Sequence, residues 1–270
     1  MTEDRSDGFE VTDVVIGAGS GMGEAVARRL ATDGRQLILA DVDLNAANRV
    51  ATELGANVSV ISCDITNRND LERICAQVRV IGRLVLTAGL SPTMAPGPRI
   101  VEVDLVGPAL VLDAFEPTAG PGSVALLFSS MAGHLAPPNP KIDAILDKPL
   151  EADLLDNLRT VGVDLDEPGT AYTYAKRGVL RLVRRQASAW GHRGARVLSL
   201  SPGIIDTPMG RQENEAQPVM AAMVAGSPLG RPIDADEVAS VAAFLLSSGA
   251  AAMTGTDVLV DGGTVAIIVG

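Results

Sequence analysis

Tyr172 and Lys176 are the residues whose types and spacing point most directly to chemistry. Four positions apart on a helix, they share a face. A free phenol has a pKa of about 10 and keeps its proton at neutral pH. A neighbouring ammonium and an oxidised nicotinamide both favour the phenolate. Such a group can take the proton of an alcohol while hydride leaves the same carbon, and can return a proton to an alkoxide in the reverse direction. Lys176 would also hold the nicotinamide ribose. Ser130, in Phe128-Ser129-Ser130-Met131-Ala132-Gly133, would hydrogen-bond the substrate oxygen. Tyr174 lies off the shared face and has no lysine at that spacing.

A lone Y-x-x-x-K is usually a solvated helix face. Here it follows a glycine loop, an acidic residue and a strand-end serine, in that order. The loop is Gly17-Ala18-Gly19-Ser20-Gly21-Met22-Gly23, running from an apolar strand into a helix. Glycines let a backbone approach phosphates, and a helix N-terminus offers free N–H groups, so Gly17, Ser20, Gly21, Met22 and Gly23 are expected around a dinucleotide pyrophosphate. Gly17, Gly21 and Gly23 form G-x-x-x-G-x-G. Asp41, at the end of the second strand, can accept both adenosine ribose hydroxyls and would repel a 2′-phosphate. No Arg or Lys replaces Ser20 or follows Asp41, so NAD is expected rather than NADP. The alternative for Asp41 is a helix cap, the role expected of Asp43. Asp64 and the backbone of Ile65 are placed to bond adenine; the competing role for Asp64 is an N-cap. Ala88 and Gly89 let the chain pass close to the adenosine ribose.

These groups need a scaffold. Val14–Ile16, Gln36–Ala40, Val58–Ser62, Leu84–Thr87, Val124–Ser129, Val197–Leu200 and Val258–Val260 read as strands. Gly21–Asp33, Leu44–Leu54, Asn67–Val78, Arg99–Phe115, Tyr172–Trp190 and Asp234–Ser247 read as helices. The alternation predicts an α/β fold: one Rossmann-type, doubly wound parallel sheet of about seven strands, with helices on both faces. A single domain over residues 1–270 is expected. Residues 135–169 interrupt the rhythm with five prolines; Leu150, Leu154, Leu155, Leu158 and Val161 fall at helical spacing. One or two short helices are expected there, before the tyrosine.

Composition agrees. The chain has 270 residues, 47% apolar but only 3% aromatic, as an aliphatic core between helices and a buried sheet requires. A net charge of −11 argues against nucleic acid and anionic membrane partners. Cys63 and Cys75 make no disulfide framework, which fits a reducing, cytoplasmic compartment. Met1–Glu10 is polar and acidic, unlike a signal peptide, and no apolar run is long enough to span a bilayer. No metal site is expected, for want of clustered ligands, and no G-x-S-x-G elbow supports a serine hydrolase.

With these residues assembled, the chain resembles the short-chain dehydrogenase/reductase family over nearly its whole length. Ile16-Gly17 through Gly23 is similar to its T-G-x-x-x-G-x-G, Leu86-Thr87-Ala88-Gly89 to its N-x-A-G, Phe128 through Gly133 to its I-S-S-x-x-G, and Tyr172 with Lys176 to its catalytic pair. Ser201-Pro202-Gly203-Ile204-Ile205-Asp206-Thr207 is similar to its P-G-x-x-x-T loop. The resemblance implies a cofactor role for Pro202, Gly203, Ile204 and Thr207, with Thr207 and the backbone of Ile204 holding the nicotinamide carboxamide. Ser130 and Tyr172 lie 42 positions apart (172 − 130), more than in most members. That spacing, with Gly82 through Leu90, His134-Leu135-Ala136 and Ala187 through Gly191, resembles the bacterial 3α-hydroxysteroid dehydrogenase/carbonyl reductase branch. The branch implies an insertion that blocks the common helix-pair dimer contact, within a homodimer or homotetramer.

Three positions depart from the family. Ile16 and Thr87 replace its usual Thr and Asn. Asp104 stands where a catalytic Asn usually holds a water linked to the lysine; a carboxylate there would favour a protonated Lys176. The expected activity is NAD-dependent hydride transfer between nicotinamide and a secondary alcohol or ketone, with a hydrophobic alicyclic or steroid-like substrate. The alternative, motivated by Asp104, is a non-catalytic dinucleotide-binding or sensing protein on the same fold. His134 is expected at the surface or beside the substrate, His192 at a helix C-terminus, and Met209, Met220 and Met223 in an apolar lid or in ordinary packing.

Overall fold

Val14, Val15 and Ile16 are all fully buried. Successive strand residues face opposite sides of a sheet, so this run needs cover on both. The computed structural model, which describes residues 11–216 and 218–270, supplies it. Met1–Glu10, read above for its lack of a leader pattern, lies outside the described residues.

The strands are β1 (Val11–Ile16), β2 (Gln36–Asp41), β3 (Val58–Ser62), β4 (Val80–Leu86), β5 (Val124–Phe128), β6 (Arg196–Pro202), β7 (Ile205–Asp206), β8 (Ile233–Asp234) and β9 (Thr256–Val260). Seven form one parallel sheet in the order β3-β2-β1-β4-β5-β6-β9. The short β7 and β8 pair with each other, a ladder not foreseen from the sequence. The order reverses between β1 and β4, and ligands of such sheets bind at that crevice, beyond the carboxyl ends of the strands.

One face packs Val14, Ile16 and Leu84 beneath Phe115, Val183 and Trp190; the other packs Val15, Leu39 and Leu198 beneath Val26, Val238 and Leu245. Each fully buried aliphatic side chain contributes about 1.5–3 kcal/mol. Every predicted strand is present, but β1 and β4 start earlier than predicted. Asp13 and Arg83 interrupt their apolar runs. Asp13 is 1% exposed and accepts from the Arg83 backbone N–H at 2.8 Å and from its guanidinium, so the two polar residues pair across the strands.

The predicted helix over 99–115 is three joined pieces, Gly97–Val101, a π-helical turn Glu102–Val106 and Gly107–Phe115. The tyrosine helix spans Pro168–His192, one turn more than predicted at its start, because Pro168 suits a first turn and Glu167 caps it. His192 ends it, as expected.

Between β5 and that helix stand three short helices, Met131–Leu135, Pro140–Leu146 and Leu154–Thr160. Leu154 and Leu158 are buried with Ile142, Leu146, Leu105 and Ala171 in a small core of their own, whereas Leu150 is 43% exposed and precedes the helix. Arg177, Arg181 and Arg185, each four residues apart, face Asp143 and Asp147. Arg177 grips Asp143 at 2.6 and 2.8 Å, and Arg181 grips Asp147 at 2.7 and 2.7 Å.

Candidate active site

Glycine is required at two points of the β1 turn. Gly17 has φ +89°, and a Cβ there would lie 2.4 Å from the Ala88 nitrogen. A Cβ on Gly23 would lie 1.9 Å from the Gly17 oxygen, so the helix Gly21–Ala31 can start close beneath the turn only with glycine there. Ser20 occupies the N-cap with extended backbone and makes no side-chain bond to the first turn. The helix N-terminus thus faces the crevice with its N–H groups free of a protein cap, suited to a phosphate. Arg49 holds the loop from outside, donating to the Gly19 oxygen at 3.1 Å and to Glu24 at 2.6 Å.

A cleft of about 380 Å³ opens over the switch point. Asp41 and Asp64 line one end, the glycine turn, Ala88 and Gly89 its middle, and Tyr172 and Lys176 the other. Asp41 is not the cap of the next helix; Asp43 is, accepting from Asn45 and Ala46. The Asp41 carboxylate accepts from the Gly19 N–H at 2.8 Å and the Asp43 N–H at 2.9 Å. Asp64 is not an N-cap either, since Asn67 takes that place. It accepts from Thr66 and from Arg99 at 3.2 Å, beside the buried Ile65. Arg99, which the sequence reading assigned only to a helix, lines this end of the cleft. These groups fit a dinucleotide: acidic acceptors at one end, uncapped backbone N–H groups in the middle, a phenol and an ammonium at the other.

At that last end, Ser130 caps the helix Met131–Leu135, accepting from the Ala132 N–H at 3.2 Å, and lies close enough to the Tyr172 phenol to ease its ionisation. Ser129 reaches the Lys176 carbonyl at 2.9 Å and ties the β5 end to the tyrosine helix. Lys176 Nζ sits 5.4 Å from the centre of the Tyr172 ring. Asp104, fully buried, sits on the π-helical turn. Its Oδ1 accepts from the Leu90 N–H at 2.7 Å, and its Oδ2 lies 3.2 Å from Lys176 Nζ, without hydrogen-bond alignment.

The electrostatics differ from the sequence expectation at one group. Burial pushes the Tyr172 phenol up; Lys176 and Ser130 pull it down, Asp104 and Glu213 push it up, and the balance lies above the ordinary value. The ammonium favours the phenolate as expected, but Asp104 offsets much of its charge. Burial is the largest influence and works against the Lys176 charge, yet Asp104, Tyr172 and Glu213 together outweigh it and the ammonium is held above its usual range. Burial also raises Asp104, against the pull of Lys176.

Pro202 ends β6, Gly203 packs on Asp261, and Ile204 is buried with Met131, Met220, Met223 and Val265. Of the P-G loop, Thr207 lines the cleft, and Pro208 and Met209 continue the wall. Met209 thus lines the cleft, whereas Met220 and Met223 pack against this small core. His134 is neither a free surface group nor a cleft residue: its Nε2 lies 2.8 Å from Asp257, which also accepts from Ser199 and Ser201. The sequence reading missed Glu213, six positions past Thr207 in the helix Pro208–Ala216. Its spacing from Met209, one helical turn, was the available signal. Among the described residues there is no cluster able to hold a metal, and no helix is long and apolar enough to cross a membrane.

The comparisons with known proteins agree with this geometry. Residues 12–139 match the family described as short chain dehydrogenase, and residues 158–265 the one described as enoyl-(acyl carrier protein) reductase. A short-chain dehydrogenase/reductase, bsc3 of Alternaria brassicicola, is 34% identical over 95% of this chain and 96% of its own. The 3-alpha-hydroxysteroid dehydrogenase/carbonyl reductase of Comamonas testosteroni is 31% identical over 94% of this chain and 96% of its own. The crystal structure of the 3-alpha-hydroxysteroid dehydrogenase from Pseudomonas sp. B-0831, complexed with NADH, superposes with a TM-score of 0.75 at 26% identity, over 96% of this chain and 98% of that one. With a relative of this identity aligned almost end to end, the chain belongs to the short-chain dehydrogenase/reductase family.

Proposed function

We propose that the chain is an NAD-dependent oxidoreductase interconverting a secondary alcohol and a ketone, with an alicyclic or steroid-like substrate. The observation that carries this is the Tyr172 phenol at the end of the cleft, with Lys176 Nζ 5.4 Å from the centre of its ring and Ser130 close enough to ease its ionisation. Bound nicotinamide supplies the hydride acceptor for the alcohol, or the donor for the ketone. Ser130 holds the substrate oxygen. Tyr172 Oη takes the alcohol proton, or returns one to the alkoxide. Lys176 steadies the phenolate and holds the nicotinamide ribose, with Thr207 and the Ile204 backbone at the carboxamide. Asp104 keeps Lys176 charged. Burial and Asp104 hold the Tyr172 phenol above its ordinary value in the free protein, so Tyr172 rests as the protonated phenol there.

The acceptors at the far end favour NAD over NADP. Asp41 would take the ribose hydroxyls and repel a 2′-phosphate; Val42 and Ser20 bring no cation to offset it. Asp64 and Ile65 would bond adenine. The apolar Leu90, Met94 and Met209 and the names of the steroid-active relatives support the substrate class. We read residues 1–270 as one NAD-binding domain, working as a homodimer or homotetramer in a cytoplasmic, reducing compartment, where Cys63 and Cys75 stay free.

Tyr172→Phe tests the reading. Turnover of a panel of cyclic alcohols and steroids with NAD should fall by at least about a thousandfold, with NADH binding retained. Turnover within tenfold of the parent would overturn the mechanism. Tight NADH binding by the parent with no turnover on any member of the panel would favour the sensing alternative.

A further inference from the structure

Arg99 lies on the short helix Gly97–Val101, ahead of Glu102 at the start of the π-helical turn, and at this spacing the two side chains meet on one face. The arginine lines the cleft at the same end as Asp41, Asp64 and Ile65. Its Nη1 donates to Glu102 at 2.7 Å and to the Thr66 hydroxyl at 3.3 Å. Its Nη2 donates to Asp64 Oδ2 at 3.2 Å. Arg99 and Asp64 are each 40% exposed, so the pair stands open to the cleft rather than sealed beneath it.

The hydrogen bonds leave this pair partly unused. A carboxylate accepts about four hydrogen bonds, and each Nη of a guanidinium carries a pair of N–H groups. Asp64 Oδ1 takes the Thr66 N–H at 2.9 Å and the Thr66 hydroxyl at 2.7 Å, whereas Oδ2 takes Arg99 alone. Both Nη1 donors are engaged, and Nη2 has one to spare. A free acceptor and a free donor therefore sit side by side on atoms 3.2 Å apart. Adenine presents the complement, an amino N–H beside the accepting ring nitrogen N7, which an Asn or Gln amide reads by the same pairing.

We propose that Arg99 is a cofactor-binding residue, which joins Asp64 in a donor–acceptor pair that reads the amino and N7 edge of adenine. The inference rests on the dinucleotide reading above and extends it from a lone carboxylate to a charged pair. Asp64 Oδ2 would accept from the amino group and the spare Nη2 N–H would donate to N7, leaving the Ile65 backbone for the opposite side of the ring. Glu102 and Thr66 hold the guanidinium in place for this, a task suited to its planar fork.

NADH and its 7-deazaadenine analogue, which keeps the amino group but has a C–H at that ring position, test it. Dihydronicotinamide fluorescence reports the binding of both. The parent should bind NADH about fivefold or more tighter than the analogue, as expected for a partly exposed hydrogen bond from a charged donor. Arg99→Met keeps the aliphatic stem and removes the donor. It should weaken NADH about fivefold and the analogue by less than about twofold, so that the parent's preference disappears. A purely structural role would weaken both alike. A parent that binds the two equally overturns the proposal, as does a substitution that leaves their ratio unchanged. If Arg99→Met does not fold, judged by circular dichroism, the shorter, uncharged Arg99→Gln replaces it and should lower the same ratio; an unchanged ratio again overturns the idea. A parent that binds neither NADH nor NADPH strikes the dinucleotide reading itself and this assignment with it, whereas NADH binding with a fixed ratio strikes the assignment alone.

Discussion

Asp104 Oδ2 lies 3.2 Å from Lys176 Nζ, with both side chains at least nine-tenths buried. An ion pair so placed holds Lys176, the cation beside the Tyr172 phenol, in its charged form. It also makes that cation a weaker partner for a phenolate than a lone lysine would be, because Asp104 repels the same charge that Lys176 attracts.

Asp104→Asn should therefore move the pH dependence of oxidation. Asp104 pushes the Tyr172 pKa up. Removing its charge leaves the attraction of Lys176 less opposed, so the phenolate forms at lower pH. The rising limb of kcat/KM against pH, which reports the free enzyme, should shift toward acid. The reductive reaction needs the protonated phenol, and its falling limb should shift the same way. A limb that stays in place, or moves toward alkali, would show that Asp104 does not tune the phenol.

Much of this site was legible without coordinates, because its parts are local. Tyr172 and Lys176 share a helix face by spacing alone, and the glycine turn announces itself by residue type. Fold class was legible for the same reason: apolar runs alternate with helical patterns. What escaped depends on partners distant in sequence. Asp13 and Arg83 hid the starts of β1 and β4, since a buried charge reads as a strand end until its mate is known. His134 meets Asp257 across 123 positions, and Arg99 meets Asp64 across 35. Neither pairing leaves a periodic trace. The normal position of the tyrosine helix start was obscured by Pro168, which reads as a breaker but serves as a first-turn residue.

Asp41 offers a binding test free of substrate. Asp41→Ser keeps a small acceptor but removes the charge. Fluorescence titration should show NADH binding weakened about tenfold, as expected for loss of a charged acceptor to two hydroxyls. NADPH binding should strengthen in the same variant, because the repulsion of its 2′-phosphate is gone. Unchanged affinities for both would remove Asp41 from the cofactor site. The Gly19 and Asp43 N–H groups also lose their acceptor, so melting temperature should be measured alongside.

Asp257 holds together the floor beneath Ser130. It accepts from Ser199 at 2.6 Å, Ser201 at 2.9 Å and His134 at 2.8 Å, and His134 lies on the short helix that Ser130 caps. Both serines are fully buried. Asp257→Ala leaves their hydroxyls without an acceptor and should cost about 2–4 kcal/mol in urea unfolding. His134→Ala should cost less, since the imidazole is 27% exposed and water can replace it. Asp257→Asn keeps one acceptor oxygen and should recover part of the loss. Equal stability of Asp257→Ala and the parent would show that the network carries no weight.

The arginine ladder on the tyrosine helix makes a prediction about the insertion. Asp143 and Asp147 take paired bonds from Arg177 and Arg181, with each side chain between 16% and 26% exposed. Hydrogen bonds from Arg177 hold the Asp143 carboxyl below its usual range, against a smaller effect of burial. A depressed carboxyl stabilises the fold above its unfolded pKa, and that contribution is lost as pH falls through the lower, folded value. Asp143→Ala should therefore destabilise the protein at neutral pH and make little difference in strong acid. The loss at neutral pH should be about 1–3 kcal/mol, since Arg177 is left partly buried without its partner. A larger domain shifts its Tm by about 2–4 °C per kcal/mol, so a fall of several degrees is expected. The three short helices cover the tyrosine helix through this ladder and one small apolar core, so limited proteolysis within 136–167 should quicken before the sheet itself unfolds. If Asp143→Ala melts with the parent at neutral pH and is cut no faster there, the ladder is decoration on a surface held by Leu154, Leu158 and their neighbours alone.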